Sequence, residues 1–172
     1  MAAATELIDR SGTEEVSMRG VARKLGLAPN ALYYYFPNRK MLEAAVAAGG
    51  IRRMHAVLKR AAAGKHSADA VGRACHAYLR FARAHPALYA MMMKKQPDSA
   101  ELLTARAELR DLLPGLFGSI GAPPAASKAD FAPWALLHGL AELEREALLE
   151  HSGLSVDASL AISALLAGLS KA

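Results

Sequence analysis

The sequence predicts an all-α protein, and three observations predict it. Apolar residues recur at helical spacing along almost the whole chain, no stretch sustains an alternation of period two, and strand-favouring residues are sparse. At 172 residues the chain can bury a core without metals or disulfides.

Breakers and caps mark out the elements in order. A first helix starts near Ala2 and stops at Ser11-Gly12. Ser17 is a good N-cap for a second that runs to Leu25, and Gly26 supplies the backbone freedom of a sharp turn. Pro29 fits the first turn of a short third helix, which Phe36-Pro37-Asn38 ends. Asn38 can cap a long fourth helix from Arg39 to about Ala63, closed by Gly64, with Gly49-Gly50 as a soft point inside it. A fifth covers Asp69 to Ala84, and His85-Pro86 breaks it just before a sixth, Ala87 to Lys95. Pro97-Asp98-Ser99 opens a seventh, from Ser99 to Leu113, which Pro114-Gly115 disturbs. Gly121 to Ala126 is the clearest loop. A long helix from Ser127 to Glu150, a turn from His151 to Ser155 and a last helix from Val156 to about Gly168 complete the chain, with no internal repeat.

The formal net charge of +5 is unevenly placed. Residues 1–60 hold ten Lys/Arg against five Asp/Glu, while the remainder holds eleven of each. The excess fits a polyanion partner for the first third, and equally a merely soluble basic surface. The single Cys75 can form no intrachain bridge and reads as a small core residue. The longest apolar stretch, Leu160 to Leu169 with Ser163 inside it, is too short to span a bilayer, so no membrane partner is expected. The N-terminus lacks a basic leader ahead of an apolar run, and the expected location is the cytoplasm.

Two short helices separated by Gly26-Leu27-Ala28 have the layout of a helix-turn-helix, whose second helix presents its N-terminal side chains to the major groove of DNA. Val16, Val21, Ala22, Leu25, Leu27, Leu32 and Phe36 can build its small core, leaving Arg19, Arg23, Lys24, Asn30, Ala31, Tyr33 and Tyr34 toward a partner. The Ser17 hydroxyl, the tyrosine hydroxyls and Arg39 or Lys40 suit phosphates, whereas Asn30 and the small Ala31 suit base edges and thymine methyls. Of Tyr33, Tyr34 and Tyr35 at least one must be exposed, because consecutive helical residues point in different directions.

The run from Ser17 to Leu42, SMRGVARKLGLAPNALYYYFPNRKML, closely resembles the TetR family of one-component regulators, with Gly26, Leu32-Tyr33, Phe36 and Leu42 at the family's spacing. That resemblance covers roughly residues 3–46. It implies phosphate contacts from Ser17, Tyr33 and Arg39, where the family more often has Lys, and base or sugar contacts from Arg19, Pro29, Asn30, Ala31 and Tyr34. Family members usually carry a further basic arm before the first helix. Here Met1 lies almost at the helix start, so arm contacts are absent or the true start lies upstream. The rest of the chain resembles the TetR-associated C-terminal domain named for a Trp-His-Gly signature, here Trp134-Ala-Leu-Leu-His138-Gly139, preceded in order by Tyr78, Phe81, His85-Pro86 and Leu88-Tyr89. The expected organisation is an N-terminal three-helix helix-turn-helix head, residues 1–45, joined by the long fourth helix to a ligand-binding and dimerisation bundle in residues 46–172.

Trp134 and His138 lie one turn apart on a face that Phe131 extends. With Tyr78, Phe81, Tyr89, Met92 and Phe117 they form a candidate effector pocket, although each alone also reads as ordinary core. His138 can bond an effector or pair with Glu142. The six histidines include no His-Glu-x-x-His, and neither a metal nor a cofactor is expected. Leu136, Leu140 and Leu143 form one apolar stripe, and Ile162, Leu165, Leu166 and Leu169 another, with Gly139, Ala164 and Gly168 allowing close helix approach. The resemblance implies a four-helix interface between two subunits; the alternative is that both stripes face their own core.

These expectations combine as a homodimeric repressor of a near-palindromic double-stranded DNA operator, released by a small hydrophobic effector. One rival is a helical ligand carrier or small enzyme using the Trp134/His138 face. No nucleophile, base and orienter trio supports it, and Glu142, Glu144, Glu146 and Glu150 read as a solvated helix face. Another is a dimeric interaction protein whose DNA head has decayed.

Overall fold

The Ser17 hydroxyl accepts the Gly20 amide at 3.0 Å, satisfying one of the donors a helix start leaves open, and launches α1, Met18–Lys24. The computed structural model describes residue 8 and residues 17–64, 68–118, 131–146 and 157–169; among these there are eight principal helices and no strand. After α1 come α2 (Pro29–Tyr35), α3 (Arg39–Ala61), α4 (Ala68–Ala84), α5 (Pro86–Met93), α6 (Ala100–Gly118), α7 (Phe131–Arg145) and α8 (Ala158–Leu169). Apart from residue 8, the predicted first helix lies outside the described residues, as do the loop at 121–126 and the turn at 151–155. The same is true of both ends predicted for the helix that became α7, residues 127–130 and 147–150.

Caps set most boundaries. Pro29 and Pro86 occupy the first turns of α2 and α5, where the missing N–H would have had no helical partner. The Asn38 side-chain oxygen accepts the Met41 amide at 3.0 Å ahead of α3, and Ser99 Oγ accepts that of Leu102 at 3.2 Å ahead of α6. Asp157 Oδ1 accepts the Ser159 and Leu160 amides at 2.8 and 3.3 Å, so α8 starts at Ala158 and not at the expected Val156. α6 also departs from expectation, running through Pro114 to Gly118. An interior proline forfeits one helical hydrogen bond and crowds the carbonyl four residues back, and the turn beyond it is anchored by buried Leu116.

The soft point expected at Gly49-Gly50 is instead a site of close packing. α3 is continuous through both glycines, and a Cβ on Gly50 would stand 2.8 Å from Met92 Sδ and 2.9 Å from Leu88 Cδ1. Glycine therefore admits α5 to the surface of α3, beside a buried run of Ala44, Ala45, Ala47 and Ala48.

The chain forms two compact units, Met1–Arg53 with His85–Leu109 and Met54–Ala84 with Arg110–Ala172. In the first, Leu42, Val46 and Ile51 of α3, Leu88 and Tyr89 of α5 and Leu102 of α6 are buried, and Arg52 pairs with Glu101 at 2.7 Å. In the second, α4 packs on α7 and α8, burying Val71, Cys75, Tyr78, Leu79 and Phe81 of α4 with Leu137 and Leu140 of α7 and Ile162 of α8. Arg73 donates to the Ala61 and Ala63 carbonyls at 3.0 and 3.4 Å, closing the C-terminal end of α3 just before Gly64 turns the chain at φ +114°.

Burial pushes the Cys75 thiol up to about 11 from its usual 9.0. The folded chain keeps that proton where the unfolded chain loses it, so stability falls as pH rises from about 9 to about 11, by about 1.4 kcal/mol per pH unit. Thermal melting across this window should be flatter for Cys75→Ala than for the parent. Equal slopes would mean that the buried thiol contributes nothing to alkaline destabilisation.

Candidate nucleic-acid interface

Gly26 makes the turn between α1 and α2. Its φ is +65°; the Leu27 amide reaches back to the Ala22 carbonyl at 2.9 Å and the Gly26 amide to that of Arg23 at 3.1 Å, the paired bonds that close a helix on a left-handed residue. α1 and α2 then pack on each other, with Met18, Val21, Ala22 and Leu32 buried. Two residues expected in this core lie outside it, since Leu25 and Leu27 are 43% and 41% exposed. Leu25 is the C-cap of α1, and the partner that such a turn offers Leu27 is Ala22, whose single methyl covers little. Met18, unanticipated, takes a core place, Phe36 is half-buried, and Val16 lies outside the described residues.

Exposure then separates the outer face. Tyr33, Tyr34 and Tyr35 are 52%, 87% and 68% exposed, where the sequence required only one to be. Leu32 points inward and the next inward position is Phe36, so the three between turn away; the Tyr34 and Tyr35 rings meet edge to face at 5.3 Å. Arg19, Asn30, Arg39 and Lys40 are exposed and Ala31 is half-buried, while the Pro29 side chain lies outside the described residues. The Ser17 oxygen is engaged as the cap of α1, which leaves its O–H to donate to a phosphate oxygen. Arg39 Nε donates to Glu43 Oε1 at 2.8 Å, a partner the sequence reading missed. The available signal was the i,i+4 spacing of opposite charges on one helix.

In the second unit the Trp134 and His138 rings stack, with centroids 5.1 Å apart and planes 12° from parallel. Both are half-buried, whereas Tyr78 and Phe81 are buried core side chains of the same unit, as Tyr89 and Met92 are of the first. The side chains of Phe117, Phe131 and Leu169 lie outside the described residues. Glu142 binds Arg145 at 2.7 Å, and Glu144 takes a two-pronged bond from Arg83 at 2.6 and 2.7 Å. The expected solvated acidic face is thus partly an ion-paired one, and the bond to Glu144 holds the Arg83 guanidinium above its usual pKa. Of the apolar stripes, Leu140 and Ile162 are buried by their own protomer, Leu136, Leu165 and Leu166 are half-buried, and Leu143 is exposed. Among the described residues no group of three or more His, Cys, Asp or Glu could hold a metal ion, and no helix is long and apolar enough to cross a membrane.

A family model described as "Bacterial regulatory proteins, tetR family" matches residues 1–46, and one described as "Tetracyclin repressor-like, C-terminal domain" matches residues 71–164, more than half of the chain. The chain belongs to the TetR family. It is accordingly a DNA-binding transcriptional regulator and not an enzyme. No curated protein matches it. Solved structures resemble this TetR-family chain over nearly its whole length. One is a protein of unknown function from Rhodococcus sp. RHA1, at 25% identity and TM-score 0.78, covering 98% of this chain and 92% of that one. A TetR variant from Acinetobacter baumannii AYE in complex with minocycline is 19% identical, with TM-score 0.68 and coverage of 99% and 93%. The transcriptional regulator SCO7222, a TetR from Streptomyces coelicolor, is 21% identical, with TM-score 0.58 and coverage of 99% and 91%.

Proposed function

We propose that this TetR-family regulator is a cytoplasmic homodimeric repressor of a near-palindromic operator, released by a small hydrophobic effector bound within residues 46–172. The observation that carries the DNA part is the exposed set of tyrosines with Asn30, Arg39 and Lys40, in the third of the chain that holds all of the excess positive charge. Residues 1–45 act as the reading head. Asn30, Ala31, Arg19, Pro29 and Tyr34 meet bases or sugars; Ser17, Tyr33, Arg39 and Lys40 meet phosphates.

The dimer reading is supported by the exposure of Leu143 and by the open space at Gly139 and Gly168, where an added Cβ would meet nothing within 4 Å. Leu136 and Leu143 of α7, with Leu165 and Leu166 of α8, supply the apolar material of that interface, while Leu140 and Ile162 of the same stripes are buried in the protomer's own core. The stacked Trp134 and His138 offer a partly accessible aromatic surface for an effector, with Tyr78 and Phe81 in the core of the same unit. The A. baumannii relative is itself in complex with a small molecule, minocycline. To change operator occupancy tenfold, such a ligand need favour the released form by only about 1.4 kcal/mol.

Fluorescence anisotropy with the DNA upstream of the gene tests the head. Asn30→Ala should relax base preference at a cost of about 1–3 kcal/mol on the best site. Arg39→Ala should weaken all sequences alike and lower the salt slope by about one phosphate. Identical behaviour of the two variants, or affinity indifferent to salt, would remove this division of roles.

A further inference from the structure

Glu43 is the sole acidic residue of α3, a helix that carries six Lys/Arg, yet it is only 7% exposed. A carboxylate withdrawn from water needs a partner, and this one accepts the Arg39 Nε–H at 2.8 Å; the described residues offer no other hydrogen bond to it. Arg39 is not drawn inward with it, its side chain remaining 53% exposed. Its guanidinium has a second, end-on edge formed by Nη1 and Nη2, and that edge makes no hydrogen bond among the described residues. One side chain can therefore bind the buried carboxylate through Nε and an outer anion through the other edge. The point charge of a lysine offers no such division.

We propose that Glu43 is a positioning residue for DNA binding: its buried carboxylate grips Arg39 by Nε and so presents the Nη1/Nη2 edge to a backbone phosphate. This rests on the reading of Arg39 as a phosphate contact. Holding the guanidinium before DNA arrives lessens the side-chain freedom lost on binding. Simple electrostatics argues the opposite sign, because an acid this close to a phosphate site repels DNA. The two accounts therefore separate in experiment.

Phosphate contacts are indifferent to sequence, so the probe is a duplex of arbitrary sequence about three helical turns long, followed by anisotropy across a salt series. Glu43→Leu removes both charge and acceptor, while Glu43→Gln keeps the acceptor. Glu43→Leu should bind about fivefold more weakly, with the salt slope reduced by about one phosphate, and Glu43→Gln should stay within about twofold of the parent. Adding Glu43→Leu to Arg39→Ala should cause no further loss. In the DNA-free protein, the NMR Nε–Hε cross-peak of Arg39 should move toward that of a solvated arginine in Glu43→Leu and stay near its place in Glu43→Gln. Tighter binding by both Glu43 variants at unchanged slope would overturn the positioning role, as would an equal loss in the Arg39→Ala background. An unresponsive cross-peak beside a normal Arg39→Ala defect would remove the role of Glu43 alone, whereas equal affinity and slope for parent and Arg39→Ala would remove the phosphate contact itself.

Discussion

Replacing Tyr89 with alanine should cost the fold about 3–5 kcal/mol, a large share of the roughly 5–15 kcal/mol that holds a domain together. Tyr89 is 0% exposed, on an eight-residue helix of which Leu88, Met91 and Met92 are also buried. Wrapped on this many sides, α5 cannot tilt to refill the lost volume, and the contact at Gly50 already brings Leu88 and Met92 to the surface of α3. The denaturant midpoint should fall with little change in slope, and thermal melting should drop by roughly 10 °C or more. A loss below about 1 kcal/mol would mean that the ring borders space into which its neighbours relax, as an effector pocket at Tyr89 would provide.

What the sequence made legible was local. The Gly26 turn, the Ser17 and Asn38 caps, the proline-led start of α2, the break at His85 and an outward tyrosine all follow from residues within one or two turns of each other, and the structure has them, although α5 starts at Pro86 where Ala87 was expected. Gly50 shows where such reading stops. A glycine inside a helix has one local meaning, weak propensity, and its actual reason is Met92, forty-two residues along the chain. Glu144 is similar, a surface acid by pattern whose partner Arg83 lies sixty-one residues away. Leu25 and Leu27 fail for a different reason. Their apolar character suggested burial, but turn geometry fixed their direction, and the alanine opposite Leu27 is too small to cover it. At the candidate interface the residue types were legible and the wiring was not: the pattern marks Arg39 as a candidate for phosphate, whereas its bond to a buried Glu43 shows only in the fold.

The other large effect should come from far outside the head. Leu143→Arg places a charge on the one member of the α7 stripe that is exposed, at 37%. The protomer should tolerate it within about 0.5 kcal/mol, because little of its own core is disturbed. Across a two-fold interface the same change appears twice and sets like charges against apolar surface, so light scattering should report monomers. Operator affinity should then fall roughly a hundredfold to ten-thousandfold, because a linked second head binds at an effective concentration that a free one lacks. Binding of a single half-site duplex should barely change, and the helical circular dichroism should be that of the parent. This pairing gives the experiment its force. Loss of half-site binding as well would point to a damaged head, while an intact dimer would move the interface away from the Leu143 stripe. A monomer with undiminished operator affinity would mean that each head reads its site alone, and no effector acting on the spacing between heads could then release it.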